Sequence, residues 1–89
     1  MEIQLISGRF RVSEAEQLLT EIVKVKIAFH AQKIRTLHQT EEEIKHSENR
    51  IIQLEKTLRN AIEKMKENNM EYTNIEAHID VKFPVQVGQ

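Results

Sequence analysis

The strongest constraint on the fold is the spacing of apolar residues, which changes twice along the 89-residue chain. Near both ends, apolar and polar residues alternate, which is typical of a strand with one buried face. Between these segments, apolar residues recur about every 3.6 positions, which is typical of amphipathic helices. A chain of this length forms at most one domain. We therefore predict a single α+β domain over residues 1–89, with the order β-α-α-β.

The alternation is clearest near the C-terminus, where six apolar residues share one parity. They are Ile75, Ala77, Ile79, Val81, Phe83 and Val85. Pro84 has no backbone N–H to donate, so it lies at a sheet edge or beyond the paired region. This pattern predicts a strand over about residues 74–83.

The N-terminal strand, over about residues 2–12, is less regular. Its apolar residues fall on two parities, with Ile3 and Leu5 on one and Phe10 and Val12 on the other. One extra residue in a bulge at Gly8 would return all four side chains to one face. Arg9 and Arg11 would then face water. A turn at Ser7-Gly8 is the alternative.

The first helix is predicted over about residues 14–37, beginning with a capping box formed by Ser13 and Glu16. Its apolar residues cover an arc of about 200°, which is wider than contact with one other helix requires. They are Ala15, Leu18, Leu19, Ile22, Val23, Val25, Phe29, Ile34 and Leu37. We therefore expect this helix to contact both the second helix and the sheet or another subunit.

The second helix is predicted over about residues 41–68, again after a capping box, formed by Thr40 and Glu43. Its apolar residues form a narrower stripe with near-heptad spacing. They are Ile44, Ile51, Leu54, Leu58, Ala61, Ile62 and Met65. Asn68-Asn69 is a suitable place for the helix to end.

The two helices could also run on as one rod, because residues 38–40 contain neither Gly nor Pro. Against a rod, the seam that accompanies the apolar stripe is polar at Lys33, Thr40 and Ser47. Helices of about 24 and 28 residues have similar lengths, roughly 36–42 Å, which suits antiparallel packing. We favour an antiparallel, coiled-coil-like hairpin, which brings the terminal strands together as a small antiparallel sheet.

A two-stranded sheet is marginal alone, and each strand leaves an edge that another chain can extend. The chain is 39% apolar and has no Trp, so its own core is lean. We therefore predict a homodimer, in which joined edges form a four-stranded sheet covered by four helices. The expected association surface comprises Leu18, Leu19, Ile22, Val25, Phe29, Ile79, Val81 and Phe83.

Polar residues interrupt both apolar faces. Lys26 and His30 lie within the arc of the first helix, and Glu48 and Glu55 lie within the stripe of the second. With a turn near residue 39, His30 would be level with Glu48, and Lys26 would be near Glu55. We interpret these as cross-helix polar layers that set the register. Alternatively, the long side chains reach past the stripe to water.

The sequence contains no pattern that indicates catalysis, and it has no Cys. Among four histidines, His46 forms a Glu-x-x-His pair with Glu43, an element of carboxylate di-metal sites. Both residues point away from the apolar stripe, so we interpret them as part of an exposed acidic turn. We expect no metal, no cofactor and no enzymatic activity, because slender helices and a small sheet offer little concavity.

The net charge of −1 disfavours bulk attraction to nucleic acid or anionic membranes. The sequence shows no signal segment and no apolar run long enough to span a membrane, which predicts a cytoplasmic protein. We predict a small structural or adaptor protein that acts through self-association and protein–protein contacts. The alternative is a small nucleic-acid-binding regulator that uses Arg9 and Arg11 on the first strand.

Overall fold

A computed structural model describes residues 1–36, 39–67 and 69–84. Its elements are β1 (Glu2–Arg11), α1 (Val12–Thr36), α2 (Glu41–Glu67) and β2 (Tyr72–Asp80). The predicted α+β architecture, the β-α-α-β order and the helical hairpin are confirmed. The predicted positions Leu37, His38, Asn68 and Val85 lie outside the described residues.

The two strands pair antiparallel, from Glu2 opposite Asp80 to Arg11 opposite Tyr72. β2 thus begins and ends earlier than the predicted strand, although the backbones of Met1 and Val81 continue the pairing through two hydrogen bonds of 2.7 and 2.9 Å. Antiparallel pairing of the terminal strands is therefore confirmed, with strand bounds that differ slightly from the predicted ones.

A bulge interrupts the register of β1, but it lies at Leu5 and not at Gly8. Gln4 opposes His78 and Ile6 opposes Ala77, so Leu5 is the extra residue. The predicted bulge at Gly8 is wrong, and so is the alternative turn, because the strand continues through Gly8. Gly8 has a φ of +151°, a backbone conformation that residues other than glycine rarely adopt.

Opposed residues of an antiparallel pair project on the same face, so the bulge determines which side chains face the helices. Ile3, Ile6, Gly8 and Phe10 share one face with Ile79, Ala77, Ile75 and Thr73. Arg9 and Arg11 lie on the opposite face and are exposed, as predicted.

α1 begins at Val12, directly after β1, and two hydrogen bonds stabilise this junction. The N–H of Val12 donates to the carbonyl oxygen of Glu71 at 3.1 Å, and the N–H of Arg11 donates to Oε1 of Glu14 at 3.2 Å. The predicted capping box of Ser13 and Glu16 is therefore wrong, because the helix begins two residues earlier than it requires.

The predicted start of α2 is confirmed, since the N–H of Glu43 donates to Oγ1 of Thr40 at 3.2 Å. The helix ends at Glu67, and Asn69 follows with a φ of +53° while its N–H donates to the carbonyl oxygen of Lys66 at 3.2 Å. Asn is one of the few residues that adopt this left-handed conformation readily at the end of a helix.

The helices face each other along rows with coiled-coil spacing. On α1 the buried and half-buried positions include Glu16, Thr20, Val23, Ile27, His30 and Ile34, which we call the hairpin row. On α2 they are Ile44, Ser47, Ile51, Leu54, Leu58, Ala61, Ile62 and Met65. At the open end of the hairpin, Oε2 of Glu16 lies 3.6 Å from Nζ of Lys66.

The chain encloses little core. Among the described residues, the only buried apolar side chains are those of Ala15 and Ile75, and no large side chain is fully buried. The molecule measures 52 × 34 × 17 Å and exposes 7631 Å². A compact monomer of its mass, 10.5 kDa, would expose about 5,400 Å². The fold is therefore thin and exposes more surface than a compact monomer of its mass would.

Candidate functional site

An apolar groove separates α1 from the end of the sheet that lies farthest from the β1–α1 junction. Ile22, Val25 and Phe29 line it from α1, and Leu5 and Ile79 line it from the strands. We call this cavity, which has a volume of about 560 Å³, the α1–sheet groove. Among the described residues, Lys26 is the one charged residue that lines it.

The apolar residues that line the groove are more exposed than those of the same elements near the junction. On β2 the exposed fraction rises from 9% at Ile75 to 46% at Ile79, and on α1 it rises from 0% at Ala15 to 73% at Val25. The sheet and α1 are therefore packed together where β1 enters the helix and diverge toward the strand ends. The wedge between them forms the groove.

The bulge in β1 brings Leu5 into this wedge. Without an extra residue, Leu5 and Ile6 would alternate between the two faces of the sheet. With it, Ile6 opposes Ala77 on the helix-facing side while Leu5 lines the groove. The strand thus presents two consecutive apolar residues on one side, and the first of them is 54% exposed.

Two lysines cover the ring of Phe29, which is itself 52% exposed. Nζ of Lys26 lies 5.3 Å from the ring centroid and Nζ of Lys33 lies 5.8 Å from it. The ring of His30 also meets Phe29 edge to face, with centroids 6.0 Å apart. Cation–π contacts at exposed sites contribute about 0.5–1 kcal/mol each, and the ring of Phe29 stays half exposed beside the two ammonium groups.

The structure brings together half of the predicted association surface. Ile22, Val25, Phe29 and Ile79 meet in the α1–sheet groove. Leu18 lies in a neighbouring shallow pocket with Phe10, Glu14, Gln17 and Glu21, and Leu19 is half-buried. Val81 and Phe83 are exposed beyond the end of β2.

The apolar spacing of the sequence does not predict Leu5 and Lys26 as groove residues, nor does it predict Thr20 and Ile27 as members of the hairpin row. The consecutive apolar pair Leu5-Ile6 was the available signal for a bulge near residue 5, since regular alternation cannot place both on one face. Thr20 is tolerated between the helices because its hydroxyl donates to the carbonyl oxygen of Glu16 at 2.7 Å.

His30 is the buried polar residue of the hairpin row, with 9% of its surface exposed. Burial lowers its pKa, and the positive charges of Lys26, Lys33 and Arg50 lower the pKa further, as does His46. Neither ring nitrogen has a hydrogen-bond partner among the residues that the structure describes. His30 therefore favours the neutral form.

The predicted polar layers are not formed as ion pairs or hydrogen bonds. Glu48 and Glu55 are exposed, and Glu48 lines an outer pocket with Ile44 and Lys45. Over the described ranges the only salt bridge joins Glu16 to Lys66. On α2 the residue that faces α1 at this level is Ser47, which is 4% exposed. Glu48 is the next residue along the helix, so its side chain points about 100° away from that of Ser47.

Glu43 and His46, the predicted Glu-x-x-His pair, line a cavity of about 290 Å³ near the turn of the hairpin. Lys33, Gln39, Glu42 and Ser47 line the same cavity. No group of three potential metal ligands comes together within residues 1–36, 39–67 and 69–84.

The outer face of the sheet carries the two arginines of β1. Cζ of Arg9 lies 4.4 Å from the ring centroid of Tyr72, and Cζ of Arg11 lies 5.9 Å from it. Glu76 shares this face, opposite Ser7, so the face is not uniformly basic.

Neither described helix is long and apolar enough to cross a membrane. No family model, curated protein or solved structure matches the chain. The α1–sheet groove is the most distinctive surface of the part of the chain that the structure describes.

Proposed function

We propose that this chain is a small structural or adaptor protein that acts through self-association and contacts with other proteins, using the α1–sheet groove. The observation that supports this most directly is the exposure of the groove, whose apolar residues are 38% (Ile22) to 73% (Val25) exposed. Contiguous exposed apolar surfaces on soluble proteins mark binding sites, because each Å² removed from water contributes about 25 cal/mol.

A second copy of the chain is the partner that the surface area favours. The chain exposes 7631 Å², which exceeds the estimate for a compact monomer by about 2,200 Å². Two chains that each buried this excess would share an interface of about 4,400 Å² in total, within the range of obligate homodimers. An assembly of this kind would also supply the core that one copy lacks.

Light scattering coupled to size-exclusion chromatography tests the proposal. We expect a dimer of twice the chain mass of 10.5 kDa at micromolar concentration. Val25→Glu should shift the protein to a monomer, since it places a carboxylate in the apolar groove. Ile52→Glu is the matched control, because Ile52 is 60% exposed on α2 and does not line the groove.

A wild-type mass equal to one chain would contradict the proposal. So would dimers that resist Val25→Glu as well as Ile52→Glu, because the groove would then not be the interface. Wild-type, Val25→Glu and Ile52→Glu proteins should first be compared by circular dichroism, so that a loss of the dimer is not confused with unfolding.

Nucleic-acid binding is a second candidate, favoured by the exposed Arg9 and Arg11 beside the aromatic ring of Tyr72. Such a face can combine phosphate contacts with base stacking. Glu76 on the same face and the net charge of −1 oppose it. Retention on immobilised DNA that decreases with salt and is lost in the variant Arg9→Ala/Arg11→Ala would support this candidate.

A further inference from the structure

α1 carries a second row of apolar residues that α2 does not cover. Leu18, Ile22, Val25 and Phe29 follow one another at spacings of four, three and four, which is the spacing of a coiled-coil seam. Ile22, Val25 and Phe29 are exposed by 38%, 73% and 52%, and Leu18 is half-buried. We call this set the second row, and its last three residues form the helix wall of the α1–sheet groove.

The charges of α1 are separated along the helix by sign. Its acidic residues are Glu14, Glu16 and Glu21, and its basic residues are Lys24, Lys26, Lys33 and Arg35. The change of sign falls between residues 21 and 24, which is also the middle of the second row. The first half of α1 therefore has a charge of −3 and the second half has a charge of +4.

These charges flank the second row itself. Glu14 and Glu21 line the shallow pocket that contains Leu18 at one end of the row. Lys26 and Lys33 lie beside Phe29 at the other end, with Nζ atoms 5.3 and 5.8 Å from its ring centroid. A partner helix that covered the row would thus meet an acidic end and a basic end.

We propose that the occupant of the α1–sheet groove is α1 of a second copy, packed antiparallel across a two-fold axis between Val23 and Lys24. This inference rests on the proposed self-association and names its geometry. The axis passes through the centre of the second row. Leu18 then packs against Phe29 of the second copy, and Ile22 packs against Val25 of the second copy, as alternating layers do in antiparallel coiled coils.

Antiparallel packing also matches the charges. Glu14 becomes level with Lys33 of the second copy, and Glu21 becomes level with Lys26 of the second copy. Each acidic half therefore lies against a basic half, within about one Debye length of 8 Å at physiological salt. The helix of the second copy also covers Leu5 and Ile79 on the sheet wall of the groove.

Parallel packing is disfavoured by the same charges. It could bring Glu21 near Lys26 of the second copy, the usual pairing between flanking positions of parallel coiled coils. However, parallel packing would place the acidic first half of α1 against the acidic first half of the second copy. It would also place the basic second half against the basic second half of the second copy. Like charges that face each other disfavour an alignment, so the antiparallel one is selected.

Disulfide cross-linking tests the orientation, since the natural chain has no Cys. Leu18→Cys and Phe29→Cys proteins are mixed, allowed to exchange subunits and oxidised. We expect a disulfide between the two variants and none within either variant alone, because equivalent residues at position 18 lie about 16 Å apart along the antiparallel axis. Gln53→Cys, exposed on α2, is the control for random collision.

A distance measurement gives the orientation without altering the second row. A spin label attached to Thr36→Cys, at the exposed end of α1, reports the separation of the two labels in the dimer by pulsed electron paramagnetic resonance. Antiparallel packing about the proposed axis separates these positions by about 37 Å along the helix, whereas parallel packing brings them within about 20 Å.

The outcomes separate this inference from the function on which it depends. A monomer in light scattering would overturn both. A dimer in which Leu18→Cys forms a disulfide alone, or in which the labels at position 36 are close, would overturn the antiparallel arrangement and leave self-association intact. A dimer with no cross-link between positions 18 and 29 would also overturn it, and would favour joining of strand edges.

Discussion

The backbone N–H of Val12 donates to the carbonyl oxygen of Glu71 at 3.1 Å, and this bond joins the end of β1 to the entry of β2. It holds the sheet against the start of α1 at one end only. Farther along, the sheet and α1 diverge, and Leu5, Ile79 and Val25 are left exposed. The groove that we propose as the association surface is thus a consequence of how the strand passes into the helix.

Replacing Gly8 with Ala should destabilise the protein by about 1–3 kcal/mol. A Cβ at this position would meet no atom within 4 Å, so the cost comes from the φ of +151° and not from a clash. The midpoint of urea unfolding is the measurement. Ser7→Ala is the control in the same strand, and D-alanine at position 8 should restore most of the loss because it favours positive φ. Equal stability of Gly8→Ala and Ser7→Ala would refute this account.

The two predicted capping boxes should respond differently to mutation. Thr40→Ala removes the acceptor for the N–H of Glu43 and should cost about 1 kcal/mol, whereas Thr40→Ser should retain most of the stability. Ser13→Ala should change the free energy of unfolding by less than about 0.5 kcal/mol, because α1 begins before Ser13. Chemical denaturation of the three variants checks this, and a large loss for Ser13→Ala would restore the sequence-based assignment.

The stability of the hairpin should decrease as the pH falls. The pKa of His30 in the folded protein is lowered from 6.5 by burial first and then by Lys26, Lys33, Arg50 and His46. The unfolded chain therefore binds the proton at a higher pH than the folded chain does. Stability is fully present above the unfolded pKa and is progressively lost as the pH falls through it toward the lower folded pKa.

Unfolding measured at pH 7.5 and pH 5.0, values chosen to bracket the reference pKa of about 6.5, tests this expectation. His30→Leu should reduce the difference between the two pH values. It should also stabilise the protein by roughly 1 kcal/mol at pH 7.5, since it removes two buried ring nitrogens that have no partner among the described residues. His78→Gln is the control, because His78 is exposed. An unchanged pH dependence in His30→Leu would exclude His30 as its origin.

The melting temperature of the wild-type protein should rise with protein concentration, because association stabilises the folded state by mass action. Scanning calorimetry over a hundredfold range of concentration is the measurement. Val25→Glu should melt at one temperature throughout, whereas Ile52→Glu should retain the concentration dependence. A wild-type melting temperature that did not change with concentration would count against self-association.

The salt bridge between Glu16 and Lys66 should contribute little. Their side chains are 37% and 61% exposed, and exposed ion pairs contribute about 0–1 kcal/mol. Lys66→Ala should therefore change the free energy of unfolding by less than about 0.5 kcal/mol, with an even smaller change in 0.5 M salt, a concentration chosen to screen the pair. A loss above about 1 kcal/mol would indicate that this pair sets the register of the hairpin.

Sequence alone determined the elements of this protein, because periodicity reports which side chains must leave water. Alternation at Ile75, Ala77 and Ile79 was sufficient for β2, and heptad spacing from Ile51 to Leu58 was sufficient for α2. The exposed arc of α1 was also recognisable, since no single partner helix can cover so wide a face. These features depend only on neighbours along the chain.

Tertiary structure decided which residues of each strand and helix face the neighbouring element. One extra residue anywhere from Leu5 to Arg9 returns Ile3 and Phe10 to the same face of β1, and only pairing with β2 places the bulge at Leu5. Likewise, a shift of one residue on a helix turns a side chain by about 100°, so packing against α1 selects Ser47 over Glu48 for the interior. Such choices depend on contacts between distant segments, which local patterns do not specify.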